Sequence, residues 1–194
     1  WFASSVAVYG KTLNDFQSET DTCYPLSSYA LAKITGEEYL KLFANNHGLS
    51  CGSLRIFSTF GEGLKRQIVY DLYQKLVSDS VDVKLLGTGR EERDLCYVGD
   101  QVDRIKTLAE HLSPSGDIYN IGNGESVNTL YIAKAILAIT GISKPIIVSD
   151  MARGFDGYQW RACTQKFASV GTNVTTDFYL ALAQTIDSYL RSSG

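Results

Sequence analysis

Residues 27–38 read SSYALAKITGEE, and this stretch decides how the chain folds. Ser27 or Ser28 can begin a helix, because a serine hydroxyl accepts a hydrogen bond from a backbone amide of the first turn. Apolar side chains then recur at helical spacing at Leu31, Ile34, Leu40 and Phe43. Gly48 suits the left-handed conformation that commonly follows the last turn of a helix. The sequence therefore predicts a helix that ends at residues 45–48.

Alternating strands and helices are predicted on both sides of this helix. Residues 1–9 have the apolar character of a buried strand that ends at Gly10, and residues 11–26 form a polar loop. Further strands are predicted at 50–57, 82–86, 95–98, 117–121 and 145–149, and further helices at 66–78, 100–112, 128–140 and 176–191. Such alternation is typical of an α/β fold with a layered sheet.

Composition and charge restrict the classes of partner. The 194 residues carry a net charge of -3 and no basic run, which argues against nucleic acid and anionic membranes as partners. No stretch approaches the roughly 20 apolar residues of a membrane span. Four scattered cysteines without a C-x-x-C pair argue against a zinc or redox site, so we expect no metal and a reducing, cytoplasmic location.

Tyr29 and Lys33 are the sharpest candidates for chemistry. Their spacing of four places both side chains on one face of the predicted helix, one turn apart. An ammonium group beside a phenol favours the phenolate, and such a tyrosine can exchange a proton with a substrate hydroxyl near neutral pH. The same spacing is common by chance, so the surrounding sequence has to support this interpretation.

The surrounding sequence resembles a known family. The run SSVAVYG at residues 4–10, followed by a polar loop and the Tyr-x-x-x-Lys helix, resembles the extended short-chain dehydrogenase/reductase family, which includes the NAD-dependent epimerases and dehydratases of sugar nucleotides. The resemblance implies a catalytic triad of Ser5, Tyr29 and Lys33. In that family the serine holds the substrate oxygen against the tyrosine, and the tyrosine and lysine also contact the nicotinamide ribose.

Residues 54–61, LRIFSTFG, resemble the family segment that follows the catalytic helix and lies at the nicotinamide end of the cofactor. This similarity implies that Phe57 contacts the cofactor and that Ser58 contacts the diphosphate of the substrate. The family usually has asparagine where Ser58 stands, so Ser58 is the weaker candidate.

Residues 87–100, GTGREERDLCYVGD, resemble the family signature that contains an Arg-Asp pair. The resemblance implies that Arg93 binds the nucleotide diphosphate, a role that suits the paired donors of a guanidinium group. Arg153 and Asp156 resemble an R-x-x-D pair near the ribose of the nucleotide, although the proline that is common there is absent.

The fold implied by the resemblance is the second half of a Rossmann-type parallel sheet with a small α/β substrate-binding lobe. Residues 1–60 would complete a dinucleotide-binding domain, and residues 61–194 would form mainly the lobe, with some segments returning to the sheet. A G-x-x-G-x-x-G loop, which binds the cofactor diphosphate, is absent from the sequence. We therefore expect a portion of a longer protein, which binds NAD or NADP strongly only when its first half is present.

The expected reaction follows from the two residues after Ser5. Dehydratases of the family have Asp-Glu there, whereas this chain has Val6 and Ala7, which cannot exchange protons. The residues favour an NAD(P)-dependent epimerase of a nucleotide-diphosphate sugar, with UDP-hexose as the default substrate. A reductase or dehydratase, and a non-catalytic member that binds nucleotide sugar, remain alternatives. A homodimer through the catalytic helix is also implied, although its apolar side is equally compatible with a core face.

Overall fold

The computed structural model describes residues 1–11, 14–149, 159–172 and 174–192. In chain order its strands are β1 (Phe2–Ser5), β2 (Cys51–Ile56), β3 (Ser58–Phe60), β4 (Val83–Leu85), β5 (Glu92–Arg93), β6 (Leu95–Tyr97), β7 (Ser115–Ile121), β8 (Val127–Asn128) and β9 (Ile146–Val148). Its helices are α1 (Ser28–His47), α2 (Gln67–Val77), α3 (Val98–His111), α4 (Thr129–Thr140), α5 (Gln165–Ala168) and α6 (Phe178–Arg191).

A parallel sheet of order β1-β2-β7 forms the base of the structure. Ser5 at the end of β1 pairs with Ile56 at the end of β2, which in turn pairs with Ile121. Helix α1 connects β1 to β2 and packs on this sheet, as a parallel crossover requires. The prediction of an α/β fold with a parallel sheet is confirmed. Because β7 belongs to this sheet, the sheet draws on both sides of residue 60, and the domain boundary there stays a prediction.

The remaining strands form three short pairs, and the lobe has its own core. β3 pairs with β6 and β4 with β9, both parallel, while β5 and β8 are antiparallel. Helices α2, α4 and α6 bury a shared set of aliphatic side chains that are fully inaccessible to solvent: Leu76, Ile132, Ile136, Leu182 and Ile186. This cluster contains none of the buried apolar residues of the β1-β2-β7 sheet, which pack in other clusters.

The predicted strand over residues 1–9 is wrong in its second half. β1 ends at Ser5, and residues Val6–Tyr9 form a 3₁₀ helix. The serine hydroxyl accepts a hydrogen bond from the Ala7 amide at 3.2 Å, which turns the chain away from the sheet. Val6, Val8 and Tyr9 are buried in this 3₁₀ helix, so their apolar character alone does not distinguish the turn from a buried strand.

The other predicted elements are present with small changes of boundary. Ser27 caps α1 by accepting from the Ala30 amide, and Gly48 closes it in the left-handed conformation. Helix α3 begins at Val98 rather than at Asp100, because Asp100 accepts hydrogen bonds from Thr176 and does not cap the helix. Within the described residues, no helix is long and apolar enough to cross a membrane.

Candidate active site

A cavity of about 690 Å³ opens where β1 and β2 end. Parallel strands bring their carboxyl ends to one edge of the sheet, and ligands of α/β proteins usually bind there. One wall comes from β1 and the start of α1, and the opposite wall comes from α2, β5 and α3. The cavity therefore lies between the sheet and the lobe.

Ser5 and Tyr29 line the same wall of this cavity. The Ser5 oxygen accepts from the Ala7 amide, so its own hydrogen can still be donated to a ligand. Tyr29 lies in the first turn of α1 and is 55% exposed. The structure thus brings together the two hydroxyl groups that the sequence separates by the whole polar loop.

Lys33 lies behind Tyr29, outside the residues that line the cavity. Its ammonium nitrogen is 5.5 Å from the centre of the Tyr29 ring and 5.0 Å from that of Phe2. The same nitrogen donates a hydrogen bond to the Ala3 carbonyl at 2.7 Å. This contact fixes the lysine beside the tyrosine and ties α1 to β1.

Phe57, Ser58 and Arg93 line the same cavity as Ser5 and Tyr29. Phe57 is buried and packs against Tyr9, whereas Ser58 is half-buried at the start of β3. Arg93 donates to the Glu92 carbonyl and also lines a second, smaller cavity of about 240 Å³. Its guanidinium group therefore lies where two cavities adjoin. The predicted residues Arg153 and Asp156 lie outside the described residues.

The aspartate that follows Arg93 in the signature is buried and hydrogen-bonded to the backbone, away from solvent. Asp94 is 1% exposed, and its carboxylate accepts backbone hydrogen bonds from Asn123, Gly124 and Ala162 at 2.8–2.9 Å. Burial raises the pKa of Asp94 although these three donors lower it. The carboxylate joins three segments that are distant in sequence, and this arrangement holds Arg93 at the cavity.

Gln101 is a cavity residue that the sequence does not single out. It is 6% exposed, and the Thr59 hydroxyl lies 2.6 Å from its Oε1 atom. A separation this short fits an O–H···O bond better than an N–H···O bond, so the amide nitrogen points away from Thr59. Among the described residues, that nitrogen has no hydrogen-bond partner. A glutamine in a helix is ordinarily exposed, and no sequence signal distinguishes this one.

The cavity lining includes one carboxylate, that of Glu62, which is hydrogen-bonded to a neighbouring tyrosine. Glu62 lines the cavity and accepts a hydrogen bond from the Tyr97 hydroxyl at 2.8 Å. Burial and the adjacent Glu62 raise the pKa of Tyr97 to about 12. The described residues contain no group of three or more His, Cys, Asp or Glu side chains that could hold a metal ion.

Comparisons with known proteins find similar sequences over most of the chain. The profile of the NAD dependent epimerase/dehydratase family matches residues 1–122. The dTDP-4-dehydro-6-deoxyglucose reductase of Escherichia coli is 32% identical over 176 aligned residues, which represent 82% of this chain and 55% of the reductase. The chain thus spans about half the length of this curated relative.

Solved structures show the same fold. MoeE5 in complex with UDP-glucuronic acid and NAD is 28% identical, with a TM-score of 0.86, over 98% of this chain and 64% of that one. The UDP-N-acetylglucosamine 4-epimerase from Methanobrevibacter ruminantium M1, in complex with UDP-N-acetylmuramic acid, has a TM-score of 0.88 at 23% identity. It covers 98% of this chain and 62% of its own, and at that identity it shows the fold alone.

Proposed function

The chain belongs to the NAD dependent epimerase/dehydratase family, and we propose that it carries the catalytic and substrate-binding part of a sugar-nucleotide 4-epimerase that acts on a UDP-hexose. The observation that supports this most is the shared cavity of Ser5, Tyr29 and Arg93. Two hydroxyl groups on one wall suit a sugar hydroxyl, and a guanidinium group on the other suits a diphosphate. This arrangement suits the sugar and the adjoining diphosphate of a nucleotide-diphosphate sugar.

The proposed chemistry is proton exchange at the sugar hydroxyl that is oxidised. Tyr29 takes the proton from the hydroxyl on carbon 4 and later returns it, while Ser5 donates a hydrogen bond that holds the same oxygen in place. The Lys33 ammonium nitrogen lies 5.5 Å from the centre of the Tyr29 ring, one turn further along the same face of α1. General acid–base catalysis of this kind contributes about 10²–10⁴-fold to a rate.

NAD or NADP is the cofactor that this chemistry needs. Tyr29 and Lys33 suit the ribose of a nicotinamide cofactor, because a hydroxyl and an ammonium group on one face of α1 can both donate hydrogen bonds to it. When bound, the cofactor supplies acceptance and return of a hydride. Phe57 forms a buried apolar surface next to this position, which suits the flat face of a nicotinamide ring.

Gln101 adds a donor that the substrate can use. Its amide nitrogen is buried beside the cavity without a partner among the described residues, and a buried unpaired donor costs about 1–3 kcal/mol. A hydrogen bond to an oxygen of the bound sugar nucleotide would remove this cost. We assign Gln101 to substrate binding together with Arg93 and Ser58.

A reductase of sugar nucleotides is the second candidate function. The Escherichia coli relative is a dTDP-4-dehydro-6-deoxyglucose reductase, and the same Ser5, Tyr29 and Lys33 could deliver a proton to a carbonyl oxygen. Water elimination is less well supported, because Val6 and Ala7 follow Ser5. A member that binds nucleotide sugar without turnover is the third candidate.

Helix α1 also offers a surface for a homodimer. Leu31, Tyr39, Leu42 and Phe43 are 57%, 61%, 55% and 48% exposed at helical spacing, which gives α1 an apolar outer stripe. We propose that two copies pack through this stripe. Leu42→Glu should then convert a dimer into a monomer in light scattering, and an unchanged mass would contradict the proposal.

The test of function uses the protein at its natural full length. Purified protein is incubated with NAD or NADP and a panel of UDP-, GDP-, CDP- and dTDP-sugars, and products are identified by NMR. Tyr29→Phe is compared with Tyr179→Phe, which removes a phenol from an exposed position of α6. Conversion to a 4-epimer that only Tyr29→Phe abolishes supports the epimerase.

Other outcomes select the alternatives. Consumption of a keto-sugar nucleotide only with added NADH or NADPH would replace the epimerase with a reductase. If no sugar turns over, while a nucleotide sugar still raises the melting temperature, the protein is a binding module.

A further inference from the structure

Glu37 is a buried carboxylate on the helix that carries Tyr29 and Lys33. It follows them at intervals of four residues, so the three side chains lie along one side of α1. Its side chain is 1% exposed. One carboxylate oxygen accepts from the Ser4 hydroxyl and from Arg55 Nε at 3.1 Å, and the other accepts from Arg55 Nη2 at 2.8 Å.

Arg55 brings β2 into the same cluster. Its side chain is 4% exposed, and the residue pairs directly with Ser4 in the register of β1 and β2. The third guanidinium nitrogen donates to the Glu19 carbonyl at 3.3 Å, and the guanidinium carbon lies 4.7 Å from the centre of the Tyr9 ring. Burial lowers the pKa of Arg55, but the hydrogen bonds and charge of Glu37 outweigh it and raise the pKa above its ordinary value.

The Phe2 side chain of β1 packs directly on the backbone of α1 at the same level. A Cβ atom at Gly36 would lie 2.5 Å from Cζ of Phe2, so a larger residue there would displace the Phe2 ring. The carboxylate of the next residue, Glu37, is thereby brought within reach of Ser4. Ser4 itself lines the cavity and directly precedes Ser5.

Stability alone does not explain a buried charge cluster in this place. A buried ion pair is often no more stabilising than apolar side chains of the same volume, because both charges lose their hydration. A bidentate guanidinium–carboxylate pair does, however, fix direction and distance. Such fixing is valuable next to reacting groups, where a displacement of about 1 Å can cost about 100-fold in rate.

We propose that Ser4, Glu37 and Arg55 form a positioning clamp that sets the distance between Ser5 on β1 and Tyr29 on α1. The expected effect of the clamp on turnover presupposes the proposed function. Its effect on the position of α1 against the sheet does not depend on which reaction is catalysed. Glu37 is the central positioning residue, because its carboxylate accepts hydrogen bonds from both strands.

The test compares two substitutions of Ser4 in the full-length protein. Ser4→Thr and Ser4→Val place branched side chains of nearly the same shape at a buried site, and in Ser4→Val a methyl group stands where Ser4→Thr keeps the hydroxyl that donates to Glu37. Ser4→Val should therefore melt about 2–7 °C below Ser4→Thr, because it leaves a buried carboxylate without one donor, and both are assayed well below either midpoint. We expect Ser4→Val to lower kcat by about 10- to 100-fold with KM changed less than about twofold, and Ser4→Thr to recover most of that loss. Equal kcat values for the two variants would overturn the proposal.

A second measurement does not require turnover. Amide hydrogen exchange is followed in peptides of α1, with peptides of α3 as the internal control. Ser4→Val should speed exchange in α1 relative to Ser4→Thr and leave α3 unchanged. Unchanged exchange in α1 would overturn the clamp even if catalysis is found, whereas altered exchange without any turnover would support the clamp and contradict the proposed function.

Discussion

Replacing Glu37 by glutamine should destabilise the protein strongly. The substitution preserves the shape of the side chain but leaves the Arg55 guanidinium without its counter-ion at a site that is 4% exposed. The new amide would also turn hydrogen-bond donors toward the donors of Arg55. Breaking a buried pair from one side costs about 3–5 kcal/mol.

This free energy converts into a shift of melting temperature. With an unfolding entropy of about 2.1 cal/mol/K for each of the 194 residues, the total is about 0.41 kcal/mol/K, and the midpoint should fall by about 7–12 °C. Circular dichroism on heating and in urea measures the change. Asp187→Asn is the matched control, because it breaks an exposed pair with Arg191 that is worth about 0.3–0.5 kcal/mol.

A double substitution separates charge burial from packing. Glu37→Met with Arg55→Met removes both charges, so it should recover most of the stability that Glu37→Gln loses. A Glu37→Gln midpoint within about 2 °C of the unmodified protein would refute the reasoning, because the pair would then behave like the exposed control.

Two further predictions concern the cavity. Gln101→Leu should raise KM for the sugar nucleotide by about 2- to 13-fold, because it removes the amide donor. Its melting temperature should change little, because removal of an unpaired buried donor offsets loss of the bond from Thr59, whose hydroxyl can still donate to the Phe57 carbonyl. The exposed Gln74→Leu is the control, and an unchanged KM would contradict the assignment. The pKa of Tyr97 is raised from 10.0 to about 12, so folding favours the neutral phenol. That stabilisation is present below pH 10 and is lost as the pH rises through about 12. Between pH 10 and 12, the unfolding free energy of Tyr97→Phe in urea titrations should therefore fall less than that of the unmodified protein. An equal fall in both proteins would show that Tyr97 does not cause the loss of stability at high pH.

Local sequence signals predicted most of the regular elements. Ser27, Gly48 and Asn128 act at helix ends as their side-chain and backbone chemistry requires. The 3₁₀ helix after Ser5 was missed because its turn depends on one hydrogen bond to Ala7, whereas its burial pattern is that of a strand. Patterns of burial cannot distinguish the two over so few residues.

The candidate site was predictable only where residues act through their own type and spacing. Ser5, Tyr29 and Arg93 were identified from motifs, and the structure places all of them at one cavity. Glu37 and Arg55 were not identified, because their significance lies in a contact between residues 18 positions apart. Partnerships of this kind follow from the packing of α1 against β1 and β2, which no local pattern specifies.

The most direct test of the central claim follows the hydrogen at carbon 4 of the sugar. The full-length protein is supplied with NAD and UDP-hexose that carries deuterium at this carbon, in ordinary water. If Tyr29 exchanges only the hydroxyl proton while the cofactor accepts and returns the hydride, the 4-epimer should retain the deuterium at carbon 4. Replacement of that deuterium by hydrogen from water in the epimerised product would contradict the proposed mechanism.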